Sequence, residues 1–190
     1  MVKKKGREIG YQMEGIAFGM ADGIICFIGL IIGIAEATSN PTLVIISGII
    51  GGLSDAFGNS IGFFISQSTE RSVQIHENVV RGNSNVEIRV HSKHEVLMSG
   101  VLSFLATICV LIILLSPFFV FSITVASYLT FVIGIGVSFA LGLYVGRLSG
   151  ECPYKTGLKY SALAILGAVV SFIIGDFLKH LLIEHTFRIF

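Results

Sequence analysis

Five stretches of the chain are nearly free of charge: residues 13–37, 41–69, 96–116, 123–147 and 157–183. From Val96 to Gly146 there is no charged side chain at all. A helix crosses the hydrocarbon core of a bilayer with about 20 apolar residues, so that one run holds two crossings. The interruptions have the chemistry of turns. Ser39-Asn40-Pro41 is a tight turn whose proline starts the next helix, Ser116-Pro117 ends the third run, and Gly150-Glu151-Cys152-Pro153 separates the last two. The second run exceeds what a bilayer needs, so its C-terminal end is expected to project into water. The pattern predicts an all-α polytopic membrane protein: one transmembrane domain over residues 1–190, five helices, and a short cytoplasmic hairpin loop over 70–95 between spans two and three.

Composition agrees. Hydrophobic residues make up 53% of the chain and charged residues 13%, about half the charged share of a soluble domain. The N-terminal MVKKKGREIG has no short apolar segment followed by a small-residue cleavage site, so no cleaved leader is expected. The basic residues fix the expected orientation. Lys3, Lys4, Lys5 and Arg7 precede span one; Arg71, Arg81, Arg89 and Lys93 lie between spans two and three; Arg147, Lys155 and Lys159 flank the loop before span five. With five spans all of these fall on one side, leaving Lys179 and Arg188 on the other. The N-terminus is therefore expected in the cytoplasm and the C-terminus outside. A net charge of +1 gives no sign of a nucleic-acid partner, and Cys26, Cys109 and Cys152 form neither a disulfide framework nor a zinc motif.

Glycines recur four residues apart at Gly15/Gly19/Gly23, Gly29/Gly33, Gly48/Gly52, Gly58/Gly62 and Gly142/Gly146/Gly150. Such spacing lets helix backbones approach closely, either within one chain or between two copies.

The chemistry lies in the polar residues inside the spans. A carboxylate at the centre of a spanning helix costs roughly 2.5–3.5 kcal/mol on insertion scales and must face protein or water. Asp22 lies in span one, on the order of 13 Å from its cytoplasmic end at 1.5 Å per residue. Span two runs the opposite way and carries Asp55 and Asn59 at similar depth. These two share a helix face, as do Asp22 and Cys26. No Lys or Arg is expected at that depth. Either the acids are protonated and hydrogen-bond to neighbouring backbone, Ser or Asn, or they ligate or relay a cation. Glu36, Asp176, Lys179 and His180 fall near the outer surface, where a solvated cap on span five is expected and Glu36 is a candidate for an outer vestibule.

Four segments resemble the vacuolar iron transporter family: DGIICFIGLIIGIAEA in span one, SGIIGGLSDAFGNSIGFFISQSTER in span two, GLYVGRLSGECPYKTGLKY at the exit of span four, and LAILGAVVSFIIGDFL in span five. Their order and the five-span count extend the resemblance over most of the chain. It implies a homodimer that moves Fe2+, and sometimes Mn2+, out of the cytoplasm against protons. The metal path it implies uses the first-span aspartate, here Asp22, then a methionine and a glutamate of span two. Asn59 and Phe63 stand at those two positions, so the chain departs from the pattern there. Asp55 is our own addition to the path. The resemblance also implies a long Glu- and Met-rich cytoplasmic insert, which in this chain is shortened to 70–95.

That short segment holds His76, Glu77, Glu87, His91 and Glu95 around the turn signal Arg81-Gly82-Asn83-Ser84-Asn85. A hairpin about this turn would bring His76 towards His91 and Glu77 towards Glu87, side chains that suit a borderline divalent metal. If the second arm is helical, Glu87, His91 and Glu95 share a face. The alternation in VEIRVH instead fits a short strand, and a solvated polar loop is a further reading.

The sequence thus points to an integral membrane transporter of divalent transition metals, Fe2+ or Mn2+. Its expected path is Asp22, Asp55, Asn59 and Cys26, with metal ligands Asp22, Asp55, His76, Glu77, Glu87 and His91. Protons, the lipid bilayer and a second copy of the chain are the expected partners, and no permanently bound cofactor is expected. The rival is a non-transporting scaffold or metal sensor that keeps the fold. There is no nucleophile–base pair, His-rich transmembrane motif or phosphate-binding glycine loop, so an enzyme is not expected.

Overall fold

Where the charge-free runs predict crossings, the computed structural model has helices: α1 (Val2–Thr38), α2 (Pro41–Arg81), α3 (Lys93–Leu115), α4 (Ile123–Ser149) and α5 (Pro153–Ile189). It describes residues 2–81 and 90–189, with side chains over 13–80 and 90–181. No strand occurs among the described residues, and all five helices contain a segment long and apolar enough to cross a membrane. The chain is an all-helical integral membrane protein.

The turn residues act as their chemistry requires. Asn40 Oδ1 accepts from the backbone N–H of Thr42 at 2.9 Å and of Leu43 at 3.3 Å, capping α2. Ser39 before it adopts a left-handed φ of 49°. A 3₁₀ turn, Ser116–Phe119, carries Pro117 and closes α3. Gly150 ends α4 at φ 71°, a conformation that a Cβ disfavours, and Pro153 opens α5.

Helix α1 is the hub and packs against all four others. Its Ile24, Phe27, Ile28 and Ile31 are almost fully buried against Val110, Leu111 and Leu114 of α3 and Ala164 and Ala168 of α5. Close approach depends on missing side chains. A Cβ at Gly15 or Gly19 would overlap the backbone carbonyl of Ser99 or Ser103 on α3, and one at Gly142 would meet the backbone of Gly157 on α5. Gly58 and Gly62 of α2 differ, because among the described residues, their own helix turn aside, nothing lies within 4 Å of where their Cβ atoms would be. Buried hydroxyls tie the helices further. Thr107 Oγ1 donates to the Gly19 carbonyl at 3.1 Å, and Thr130 Oγ1 to that of Leu114 at 2.8 Å.

The segment 70–95 divides differently from the hairpin expected. Helix α2 continues unbroken to Arg81, so its 41 residues span about 60 Å, twice a hydrocarbon core of about 30 Å. Residues 70–81 are thus the projecting end of a membrane helix. His91 is not on a helical face shared with Glu95, because Ser92 is extended and caps α3. Its side chain accepts from the Glu95 N–H while Glu95 accepts from the Ser92 N–H. The turn centre, Glu87 and most of VEIRVH lie outside the described residues.

Candidate functional site

Because α1 and α2 run antiparallel, Asp22 on one meets Asp55 and Asn59 on the other. Asn59 Nδ2 donates to Asp22 Oδ2 at 2.7 Å and to Asp55 Oδ2 at 3.1 Å. A primary amide has two N–H bonds, and here each goes to a different carboxylate. Cys26, one turn along α1 from Asp22, lies beside Asp55. The four path residues read from the sequence therefore adjoin one another, half-buried between two spans. Among the described residues, neither carboxylate has a basic partner. The Thr107–Gly19 hydrogen bond holds α1 against α3 one turn away, which fixes the height of Asp22.

Immediately beside this cluster, and not singled out by sequence as a pair, Phe18 stacks on Phe63 with ring centroids 5.0 Å apart. The signal was present: Phe18 is four residues before Asp22 and Phe63 four after Asn59, so antiparallel helices bring both to one level.

The outer acid is arranged otherwise. Lys179 Nζ of α5 donates to Glu36 Oε1 of α1 at 3.1 Å. Glu36 also lines a cavity of about 360 Å³ whose walls include Ile32, Tyr128, Phe131 and Phe172. Asp176 and His180 sit 3.7 Å apart, both well exposed.

At the opposite end, His76 and Glu77 are exposed and His91 is buried. The structure joins His91 to residues ahead of His76. Its N–H donates to Gln74 Oε1 at 3.0 Å, Arg71 Nε donates to its carbonyl at 2.8 Å, and Gln74 Nε2 donates to Glu70 Oε1 at 3.0 Å. Among the described residues, no three side chains drawn from His, Cys, Asp and Glu are grouped to hold a metal ion. The Asp22–Asp55 cluster has two carboxylates, and its third oxygen belongs to an amide.

Comparison with known proteins falls on these same helices. Residues 14–84 match the model of the VIT family, the vacuolar iron transporters. The chain is also similar to an uncharacterized protein of Methanocaldococcus jannaschii, 28% identical over 165 residues that cover 84% of this chain and 86% of that one. The stretch that matches the VIT family, whose members are membrane transporters, therefore includes both helices of the carboxylate–amide cluster.

Proposed function

We propose that the protein is a homodimeric transporter that carries a divalent transition metal, Fe2+ or Mn2+, out of the cytoplasm in exchange for protons. The observation that carries this reading is the double hydrogen bond from Asn59 to Asp22 and Asp55. Two carboxylates from separate helices converge where no lysine or arginine balances them, and their shared partner is a neutral amide. A cation arriving between them exchanges water for fixed oxygens. Rotation of the Asn59 side-chain amide then turns Oδ1 towards the ion in place of Nδ2, adding a third oxygen. Oxygen ligands from Asp22, Asp55 and Asn59 favour Mn2+ or Fe2+ over a soft ion such as Cu+. With the ion gone, protons on Asp22 or Asp55 restore neutrality, which gives the coupling its chemical basis. The basic residues around 3–7, 71–93 and 147–159 support a cytoplasmic position for that end of the bundle, and export is the direction that the family resemblance implies.

The second copy is supported by Gly58 and Gly62. Gly15, Gly19 and Gly142 lie against another helix backbone, whereas this pair faces open space beside exposed Phe57 and Ile61. A closely packed second α2 suits that surface.

The test is metal uptake into vesicles containing the purified protein, scanned over Fe2+, Mn2+, Zn2+ and Ca2+. Uptake of Fe2+ or Mn2+, with a proton flux in the opposite direction, is expected. A scaffold or sensor is the second reading. It is favoured by Phe63, which puts a buried ring where the resemblance leads to a glutamate, and uptake of none of the four ions would establish it instead.

A further inference from the structure

Stepping from the cluster towards the end of the bundle that carries Arg71 and His91, the α1/α2 seam changes character twice. The first turn brings Phe18 on α1 and Phe63 on α2, stacked with their planes inclined by 27°. The next turn is polar again, with Glu14 on α1 and buried Gln67 on α2. The order along the seam is therefore polar, aromatic, polar. Nothing in a membrane helix pair requires an aromatic step between two polar ones.

We propose that the Phe18–Phe63 pair is the gate between the carboxylate–amide cluster and water on that side of the membrane. This rests on the transport reading above and names the device that regulates access to the same site. An apolar constriction narrow enough to exclude water blocks a hydrated ion without any charge. The two rings have unequal freedom. Phe63 is 7% exposed and held within the bundle, whereas Phe18 is 42% exposed, so part of its ring is uncovered among the described residues. Phe63 is the fixed post and Phe18 the moving leaf, whose rotation about its side-chain bonds opens a way to Asp22 one turn above. Stacking adds only modestly to the burial of two rings, so the gate opens without disturbing the helices. It also accounts for a ring at position 63: a carboxylate there would coordinate a passing ion, whereas phenylalanine excludes one until the leaf moves.

Cys26 is the reporter, because it lies on the far side of the rings among the cluster residues. With Cys109 and Cys152 replaced by serine, a small charged methanethiosulfonate reagent is applied to reconstituted protein from the face bearing Arg71 and His91. Phe18→Ala and Phe63→Ala are each expected to speed modification of Cys26 about tenfold, the equilibrium change that loss of an aromatic pair brings. Phe18→Leu, which keeps an apolar plug, should fall between. If Phe63→Ala does not give native helix content and elution, Phe18→Ala decides alone, since its ring is only partly packed. Acceleration supports the gate whether or not the vesicles take up metal. An unchanged Cys26 rate in folded Phe18→Ala overturns the gate, even in vesicles that transport Fe2+ or Mn2+.

Discussion

Among the acids of helix α1, Asp22 and Glu36 stand fourteen positions apart, separated by about 21 Å along its axis, and the protein treats them in opposite ways. Glu36 meets a lysine ammonium at 3.1 Å, and both side chains retain partial access to their surroundings. Among the described residues, the hydrogen-bond partner of Asp22 is the amide of Asn59, which is already shared with a second carboxylate. An ion pair satisfies an acid permanently, so Glu36 ties α1 to α5. A neutral amide leaves the charge question open, and the cluster is complete only when a proton or a cation arrives. Acids on one helix are therefore distinguished by what the facing helices bring to them.

The largest effect should follow from Asp22→Asn. Asparagine has nearly the same size and costs less to bury, so helix content and thermal stability should be retained or slightly improved. Metal uptake should fall by at least the roughly 100-fold that loss of even an outer-shell partner can cost at a metal site. Asp55→Asn removes the second carboxylate but keeps the Asp22–Asn59 contact, so a smaller loss of roughly tenfold is expected. Vesicle uptake measured on both variants checks the order. Normal transport by Asp22→Asn would reduce the inner acid to a structural group like Glu36, and the contrast between the two would disappear.

Much of this contrast was legible in the sequence, for physical reasons. Spans follow from uninterrupted apolar runs, and the turns at Asn40, Pro117 and Pro153 follow from residues that can cap or must break a helix. The cluster follows from spacing: Asp55 and Asn59 share a face, and antiparallel spans return to the same depth. Pairings between distant spans left no local trace. Glu36 and Lys179 are 143 positions apart, and the packing of Gly33 against Ser171 and Gly175 brings their helices together there. The polar residues of 70–81 predict a loop where the structure has the projecting end of α2. It stays helical along a face where Arg71 and Gln74 hold the backbone of His91. Glycine spacing announced close packing without saying which pairs pack inside the chain and which remain open.

A smaller effect tests the outer half of the comparison. Glu36→Gln and Lys179→Gln should leave uptake unchanged, because neither residue adjoins the cluster. Each should lower stability by at most about 1 kcal/mol, as partly exposed pairs do, or about 2–4 °C in midpoint for a chain of this length. The double variant should lose no more than the worse single one, since the pair contributes once. A large transport defect in Glu36→Gln with stability intact would instead make Glu36 part of the path, and the cavity beside it an exit.

The smallest effect belongs to the projecting end of α2. His76 and Glu77 are exposed there, and Glu70, held by Gln74, stands one to two turns nearer the membrane. Exposed acids near a mouth act by raising the local concentration of cations, an effect that falls steeply with ionic strength. Beyond a Debye length of about 10 Å at 0.1 M salt, little of it survives. Replacing His76 and Glu77 with alanine should therefore raise KM for the metal by about twofold at low salt, with kcat unchanged, and the difference should vanish at high salt. A KM shift that persists at high salt would mean that these side chains bind the ion directly, as the hairpin reading had it. No shift at any ionic strength would leave capture to the cluster alone. In both cases Asp22 keeps its role, because its effect is on passage through the membrane and no surface charge can substitute for an oxygen ligand at that depth.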